Sequence, residues 1–468
     1  MTDIRFTKII LSFGICSLMC NCLSTDPEMW EKYKIPSPQS SWSEMTVNSE
    51  PLLAKDKNLS LIKATEIALN HHPDLVRQRS LFQAANSRVN QALSQFFPQL
   101  SLNAGYSHST NNSSSLSGSH RASQIHWNDS NRHQSAGLEL SQLIFDFGQT
   151  NAAHKQTKHR ANAAQFELEN VVLKTLLEVR ESYFTYLEEM ALLEVSEQTV
   201  ANFEKHLDRI QKFLAVGRGI KADVARTEVD LAEARLEKLR NQNRLQKARL
   251  TLNAAMGLEE DPGYRVDRNI PQHFFDISQK DAVLQSRESR PDLKVSWEEF
   301  KAAEQSLIQA KGGYYPSLSL GGSYGLSGSS TPWIQNWSFG PSLRWNIFDS
   351  LSTSAEIEEA RALLREKRAA LAKTKQLAYL EVSEAWLDNQ EAKKRMALAK
   401  ESIRAAEESL KLAKGRYDAD RGILLEQTTA ELSLARARVE EVSSRFDYER
   451  ASVRLLENIG LVNSKKKK

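Results

Sequence analysis

The chain has 468 residues, a formal net charge of +3, 26% charged residues and a mean hydropathy of −0.50. The near-balanced charge leaves no electrostatic footprint for nucleic acid. Past the N-terminus no run approaches the ~18 apolar residues of a spanning helix, so any passage through a membrane requires a closed β-barrel, since open strand edges cannot be hydrogen-bonded in lipid.

Arg5 and Lys8 precede an apolar run from Ile9 to Cys20, too short to span a bilayer and fitting the apolar core of a secretory signal. Cys16, Cys20 and Cys22 all lie within the first 22 residues, so the mature chain is expected to hold neither a disulfide framework nor a metal-thiolate site. Residues 1–22 read as a lipoprotein-like signal with Cys22 as the lipid attachment site. Met19-Cys20-Asn21 lacks the small residue usually found before a modified cysteine; Cys20 as the acceptor and a plain cleaved signal are the alternatives. Residues 23–58, with Pro27, Pro36, Pro38 and Pro51 among polar neighbours, read as an extended tether.

A helix is predicted from about Ser60 to Asn70, and a second from Pro73 to Phe96, ended by the Phe97-Pro98 step because the residue before proline is pushed out of the α region. A strand follows at about 99–108: Leu100, Leu102, Ala104 and Tyr106 oppose Ser101, Asn103, Gly105 and Ser107. The Ser/Asn-rich stretch His108 to His133 is a solvated loop by composition. The second strand, about 135–145, sets Ala136, Leu138, Leu140 and Ile144 against Gly137, Glu139 and Ser141, with Gln142 interrupting its apolar face. Gln149 to Val216 and Ile220 to Met256 then run without Gly or Pro as two long helices, with Gly217-Arg218-Gly219 as the turn between them. Residues 258–277 are a mixed connector.

The second half restates this order. Pro291-Asp292-Leu293 matches Pro73-Asp74-Leu75, and Tyr315-Pro316 matches Phe97-Pro98, at an offset of 316 − 98 = 218. Strands are expected at about 316–326 and 337–348, with a bulge or rim position at Pro341, which removes a ladder donor. Phe348-Asp349 matches Phe145-Asp146 at 349 − 146 = 203, and the same offset relates Trp386 to Tyr183 and Gly422 to Gly219. The second loop is therefore shorter than the first by the difference of the two offsets, 218 − 203 = 15. Ser350 to Lys414 and Ile423 to Ile459 are again free of Gly and Pro. Two repeats, 59–257 and 278–461, result, followed by a basic tail at 462–468. Leu425, Leu432, Val439, Phe446 and Val453 recur every seven residues, as do Ala222, Val229, Leu236, Asn243 and Leu250, which reads as coiled-coil seams.

Over residues 59 to 461 this duplicated order of helix, strand, loop, strand, long helix, turn and helix resembles the TolC-type outer-membrane efflux proteins. The segment Tyr417-Asp418-Ala419-Asp420-Arg421-Gly422-Ile423-Leu424-Leu425-Glu426 resembles the family's turn signature, Tyr-x-x-Gly-x-x-x-x-x-Asp, with Asp420 and Glu426 departing from it; Leu214, Gly217 and Asp223 take the corresponding places in the first half. The resemblance implies an α+β membrane protein: a long α-helical coiled-coil barrel plus four transmembrane strands per protomer, twelve in a homotrimer, with a two-fold internal repeat. It implies an exit duct of a tripartite efflux pump or a type I secretion system, passive, set in outer-membrane lipid and reaching through the periplasm to an adaptor protein and an inner-membrane transporter. It further implies that Tyr417 and Asp223 tie the hairpins together in a closed periplasmic gate, and its lipid-anchored branch would account for Cys22; three copies of the far turns brought together would let Asp420 and Glu426 add acidic rings to that gate, with polar helix caps as the alternative for these residues. A periplasmic adaptor and a coiled-coil scaffold are the alternatives.

Catalytic readings have little to stand on. His71 and His72 are adjacent and do not share a helix face, while His154 and His159 lie five apart on a polar helix and read as solvated. No phosphate loop, nucleophile elbow or zinc motif is present, so neither an enzyme nor a cofactor is expected.

Overall fold

The computed structural model describes residues 58–110, 130–217, 220–268, 277–329, 332–419 and 421–461. The signal, the tether up to residue 57, Cys22, Asp420, the tip of the first loop and the basic tail lie outside the described residues.

A short strand β1 (Asn58–Leu59) leads to α1 (Leu61–His71) and α2 (Pro73–Ser94). Ser60 caps α1 by accepting from the Lys63 amide. His72 does the same for α2, its Nδ1 accepting from the Asp74 amide at 3.2 Å, with Pro73 in the first helical position, where a missing N–H costs nothing. Strands β2 (Gln99–Thr110) and β3 (Ser130–Phe145) precede the hairpin of α3 (Gln149–Ala215) and α4 (Lys221–Ala255). After β4 (Arg265–Val266), which pairs with β1, the order recurs: α5 (Gln279–Ser289), α6 (Pro291–Gly312), β5 (Ser317–Gly328), β6 (Ile334–Arg344), α7 (Ser352–Asp418) and α8 (Leu424–Ile459). α3 and α7 each have 67 residues, so each is about 100 Å long.

β2, β3, β5 and β6 form one antiparallel sheet in that order, so the two halves meet at the β3–β5 pair. Two strand expectations are corrected here. The ladder of β6 starts at Ile334 and stops at Arg344, short of the 348 read from alternation, because the chain turns into the junction with α7. Pro341 sits opposite Leu320 in an unbroken register, with no bulge and inside the strand end, on a strand that is an edge of this sheet, where proline is admitted. The irregularity falls instead between Leu143 and Phe145, next to Gln142, whose side-chain amide donates to the Phe96 and Leu143 carbonyls.

The helices pack around two cores built at matching positions. Val179, Tyr183, Leu252 and Met256 belong to the first; their equivalents in the second half, Val382, Trp386, Leu455 and Ile459, belong to the second or pack against it. Tyr183 donates to the Asp267 carbonyl at 2.7 Å, and Trp386 Nε1 to the Ile277 carbonyl at 2.9 Å, so an aromatic donor ties each long helix to the chain of the connector. The heptad stripe is only partly internal. Phe446 and Val453 are buried, whereas Leu425, Leu432 and Val439, and Val229, Leu236 and Leu250 on α4, are exposed. The two solvated histidines are also corrected: His159 Nδ1 lies 2.8 Å from Glu298 Oε2 across the α3–α6 contact, and the His154 ring meets Phe96 edge-on at 5.8 Å. A face that sequence alone assigns to water is covered because α2 and α6 both lie along α3.

Candidate channel surfaces: the sheet and the helical tips

Alternation divides each strand into two faces but leaves open how four strands combine. The register settles it. Leu102 stands opposite Leu138, Leu138 opposite Tyr324, and Tyr324 opposite Trp337; Ser101 stands opposite Glu139, Glu139 opposite Ser323, and Ser323 opposite Ser338. One face of the whole sheet is therefore apolar and the other polar, with serine hydroxyls bonded across β5–β6 (Ser323–Ser338 at 2.8 Å and Ser319–Ser342 at 2.9 Å). Leu102, Leu320 and Leu343 share the apolar face. Trp337 is 74% exposed on it and Leu343 67%, a contiguous apolar surface that water would not tolerate.

Where the strands give way to helices, aromatic side chains gather: Phe147 stacks on Tyr315 at 4.9 Å and lies 4.8 Å from Phe145, while Trp345 donates to the Tyr314 carbonyl. Such rings suit a membrane–water boundary. Sequence reading passed over this belt; the signal was the cluster Phe96, Phe97, Phe145, Phe147, Tyr314, Tyr315, Trp345 and Phe348 at the four strand ends near the helices.

Each strand-to-helix hinge is held by one carboxylate. Asp146 accepts from the Gly148 amide, the Thr150 amide at 2.7 Å and the Thr150 hydroxyl at 2.5 Å; Asp349 accepts from the Thr353 amide at 2.8 Å and the Thr353 hydroxyl at 2.5 Å. The chain turns through left-handed backbone at Phe147 and Gly148 (φ 53° and 90°) and at Ser350 and Leu351 (φ 56° and 70°).

At the other end of the long helices, Arg209 of α3 reaches α7. Its guanidinium bonds Asp418 at 2.6 Å and lies 5.4 Å from the centres of both the Tyr417 and Phe213 rings. Glu426 opens α8 and lies 3.5 Å from Arg416, and Asp223 stands in the first turn of α4, where a carboxylate complements the helix dipole. Of the residues read as a gate, Tyr417 and Glu426 thus share the α7–α8 tip, with Glu426 paired inside the chain, while Asp223 is on the other hairpin. Arg209 and Asp418 escaped the sequence reading because an arginine inside a long helix carries no local signal for a partner in the other half of the chain. One turn before Arg209, His206 is buried; its Nε2 and the nearby Glu431 Oε2 and Gln427 Oε1 find no hydrogen-bond partner among the described residues. Burial pushes the His206 imidazole below its ordinary value, Glu431 and Asp230 pull it up, and Arg209 adds to the lowering.

A sheet with one apolar and one polar face, continuing into helices of about 100 Å, describes a channel component. The family model described as outer membrane efflux protein matches residues 64–258 and 282–461, and the chain belongs to that family. It is 26% identical over 303 residues to the outer membrane protein OprJ of Pseudomonas aeruginosa, covering 60% of each chain, so the match spans under two thirds of that relative. It is 23% identical over 408 residues to the probable outer membrane lipoprotein SilC of Salmonella typhimurium, covering 81% of this chain and 82% of SilC. The Campylobacter jejuni CmeC outer membrane channel superposes with a TM-score of 0.76 at 18% identity, covering 86% of this chain and 85% of that one, which shows a shared fold.

Proposed function

We propose that three copies of this chain form the passive exit duct of a tripartite efflux pump, with a twelve-stranded barrel in the outer membrane and a helical tunnel across the periplasm. One observation carries this reading: among the described residues the sheet has two unpaired edges, β2 and β6, and an exposed apolar face. In lipid such edges have to be paired, and four strands are too few to close on themselves. A neighbouring copy offering β6 to β2 supplies the missing ladder, and the exposed stripes on α4 and α8 supply matching helix contacts. The apolar face then meets lipid and the polar face lines the lumen. The periplasmic adaptor and inner-membrane transporter belong to this reading, as does acylation of Cys22, which the likeness to SilC supports.

The same reading makes the tips a gate. Tyr417, Glu426, Asp223 and Asp420 remain its proposed residues, and Arg209 and Asp418 join them as a clamp between the two hairpins. In a planar bilayer, Tyr417→Phe with Asp223→Ala is expected to raise conductance, and Glu426→Ala with Asp420→Ala to lower cation selectivity; no change in either double variant leaves these residues as helix caps. The trimer itself is tested by native mass spectrometry of the detergent-solubilised protein, where a monomer at all concentrations would reject the closed barrel. Mass spectrometry of the mature N-terminus finds acylated Cys22 or rejects it.

A further inference from the structure

We infer that Glu139 makes the strand region prefer cations, as a selectivity element separate from the helical tips; the inference rests on the reading that the polar face of the sheet lines a lumen. Glu139 is the only carboxylate in the four strands of the sheet. The register sets it on the polar face, in one row with Ser101, Ser323 and Ser338. Its hydrogen-bond partner is the Asn103 amide, which donates to Oε2 at 3.4 Å. That group is neutral, and among the described residues no cation pairs with Glu139.

The basic groups of the strands stand too far off or face the wrong way. Arg344 is on the same face, but opposite Ser317, six positions along β6 from Ser338. At ~3.3 Å per residue this is about 20 Å, more than twice the Debye length of ~8 Å at 0.15 M salt. His133 lies six positions from Glu139 in the other direction, and Arg132 is on the apolar face. The other neighbours of Glu139 on its own face are Gln99, serines and glycines, all uncharged, so no opposite charge beside it cancels its own.

Twelve strands ~4.8 Å apart and tilted ~40° enclose a backbone radius on the order of 12 Å. Three inward carboxylates in one row then stand within about a Debye length of the axis at 0.15 M salt. Their fields add there, enriching cations and depleting anions. The tips are a weaker source of negative charge than their sequence implies, since Glu426 has Arg416 at 3.5 Å. Solutes with a positively charged head are the class this row favours.

The test reads local potential beside Glu139, so the state of the distant tips does not enter. Ser323→Cys places a thiol next to Glu139 in the row, and the native cysteines are confined to positions 16, 20 and 22, so the parent protein supplies the background. The protein in outer-membrane vesicles is treated with cationic and with anionic methanethiosulfonates at ~10 mM salt. The ratio of cationic to anionic modification rates is expected to fall about threefold when Glu139→Gln is added, to stay unchanged with Glu139→Asp, and to lose its dependence on residue 139 at ~1 M salt, where the Debye length is ~3 Å. Equal ratios with and without Glu139→Gln at low salt overturn the inference while leaving the lumen intact. A silent thiol at 323 together with a reactive one introduced by Leu320→Cys overturns the lumen reading as well.

Discussion

The two ends of the long helices were built differently. At the strand end, the halves match: Asp146 with Thr150 and Asp349 with Thr353 make the same cap at equivalent positions of the repeat. At the far end they have diverged. Arg209 corresponds to Leu412, Tyr417 to Leu214, and Asp418 to Ala215 at the same offset, and the Arg209–Asp418 contact joins one half to the other. A junction that must turn a strand into a helix twice per chain has one geometric solution and repeats it. A tip whose task is to hold two hairpins together needs complementary partners, which identical halves would not supply.

Removing a hinge carboxylate should have the largest effect. Asp146→Ala and Asp349→Ala are each expected to lower the unfolding temperature, and by similar amounts, by losing a cap to an amide and a hydroxyl. Thermal unfolding of the purified protein checks this, and a large effect in one half alone would break the equivalence.

The hinge backbones differ in a way that sharpens the comparison. Gly148 adopts φ 90° at no cost in side-chain contact, with nothing within 4 Å of an added Cβ, whereas Leu351 holds φ 70°. Gly148→Leu is expected to destabilise by about 1–2 kcal/mol and Leu351→Gly to stabilise by about 0.5–1 kcal/mol. Shifts of the same sign in the same unfolding experiment would show that local contacts, and not backbone conformation, decide.

At the tips the effect on stability should be smaller. The Arg209–Asp418 pair is partly exposed, so solvent screening limits it to roughly 0.5–1 kcal/mol, with a similar amount from the Tyr417 ring. Arg209→Leu, which copies the other half, should barely move the unfolding temperature but should speed hydrogen exchange at the ends of α3 and α7. Unchanged exchange would deny the clamp.

The smallest effect is one of pH, and it too belongs to one half, since Ser409 stands where His206 does. A folded-state value below the unfolded ~6.5 means that the unfolded chain binds more protons between the two. Stability is then fully present above about pH 6.5 and lost as pH falls toward the lowered value. His206→Gln should flatten the decline in unfolding temperature between pH 7 and pH 5; an equal decline in both proteins would assign it elsewhere.

Sequence by itself determined the element order, because each element carries its own local physics: alternation with period two for strands, long stretches free of Gly and Pro for helices, and X-Pro steps at the boundaries. It also determined that the strands have one apolar and one polar side. Tertiary structure alone decided how the four sides combine, that the bulge falls beside Gln142 and not at Pro341, and that His159 meets Glu298. It decided as well which heptad positions face inward, since Phe446 is covered and Leu432, on the same stripe, is not. These depend on the pairing of residues far apart in the chain: Glu139 with Ser323, Arg209 with Asp418. A periodic pattern states that a face needs a partner, but which partner it meets is set by register and by helix contacts, and neither is encoded in any local run of residues.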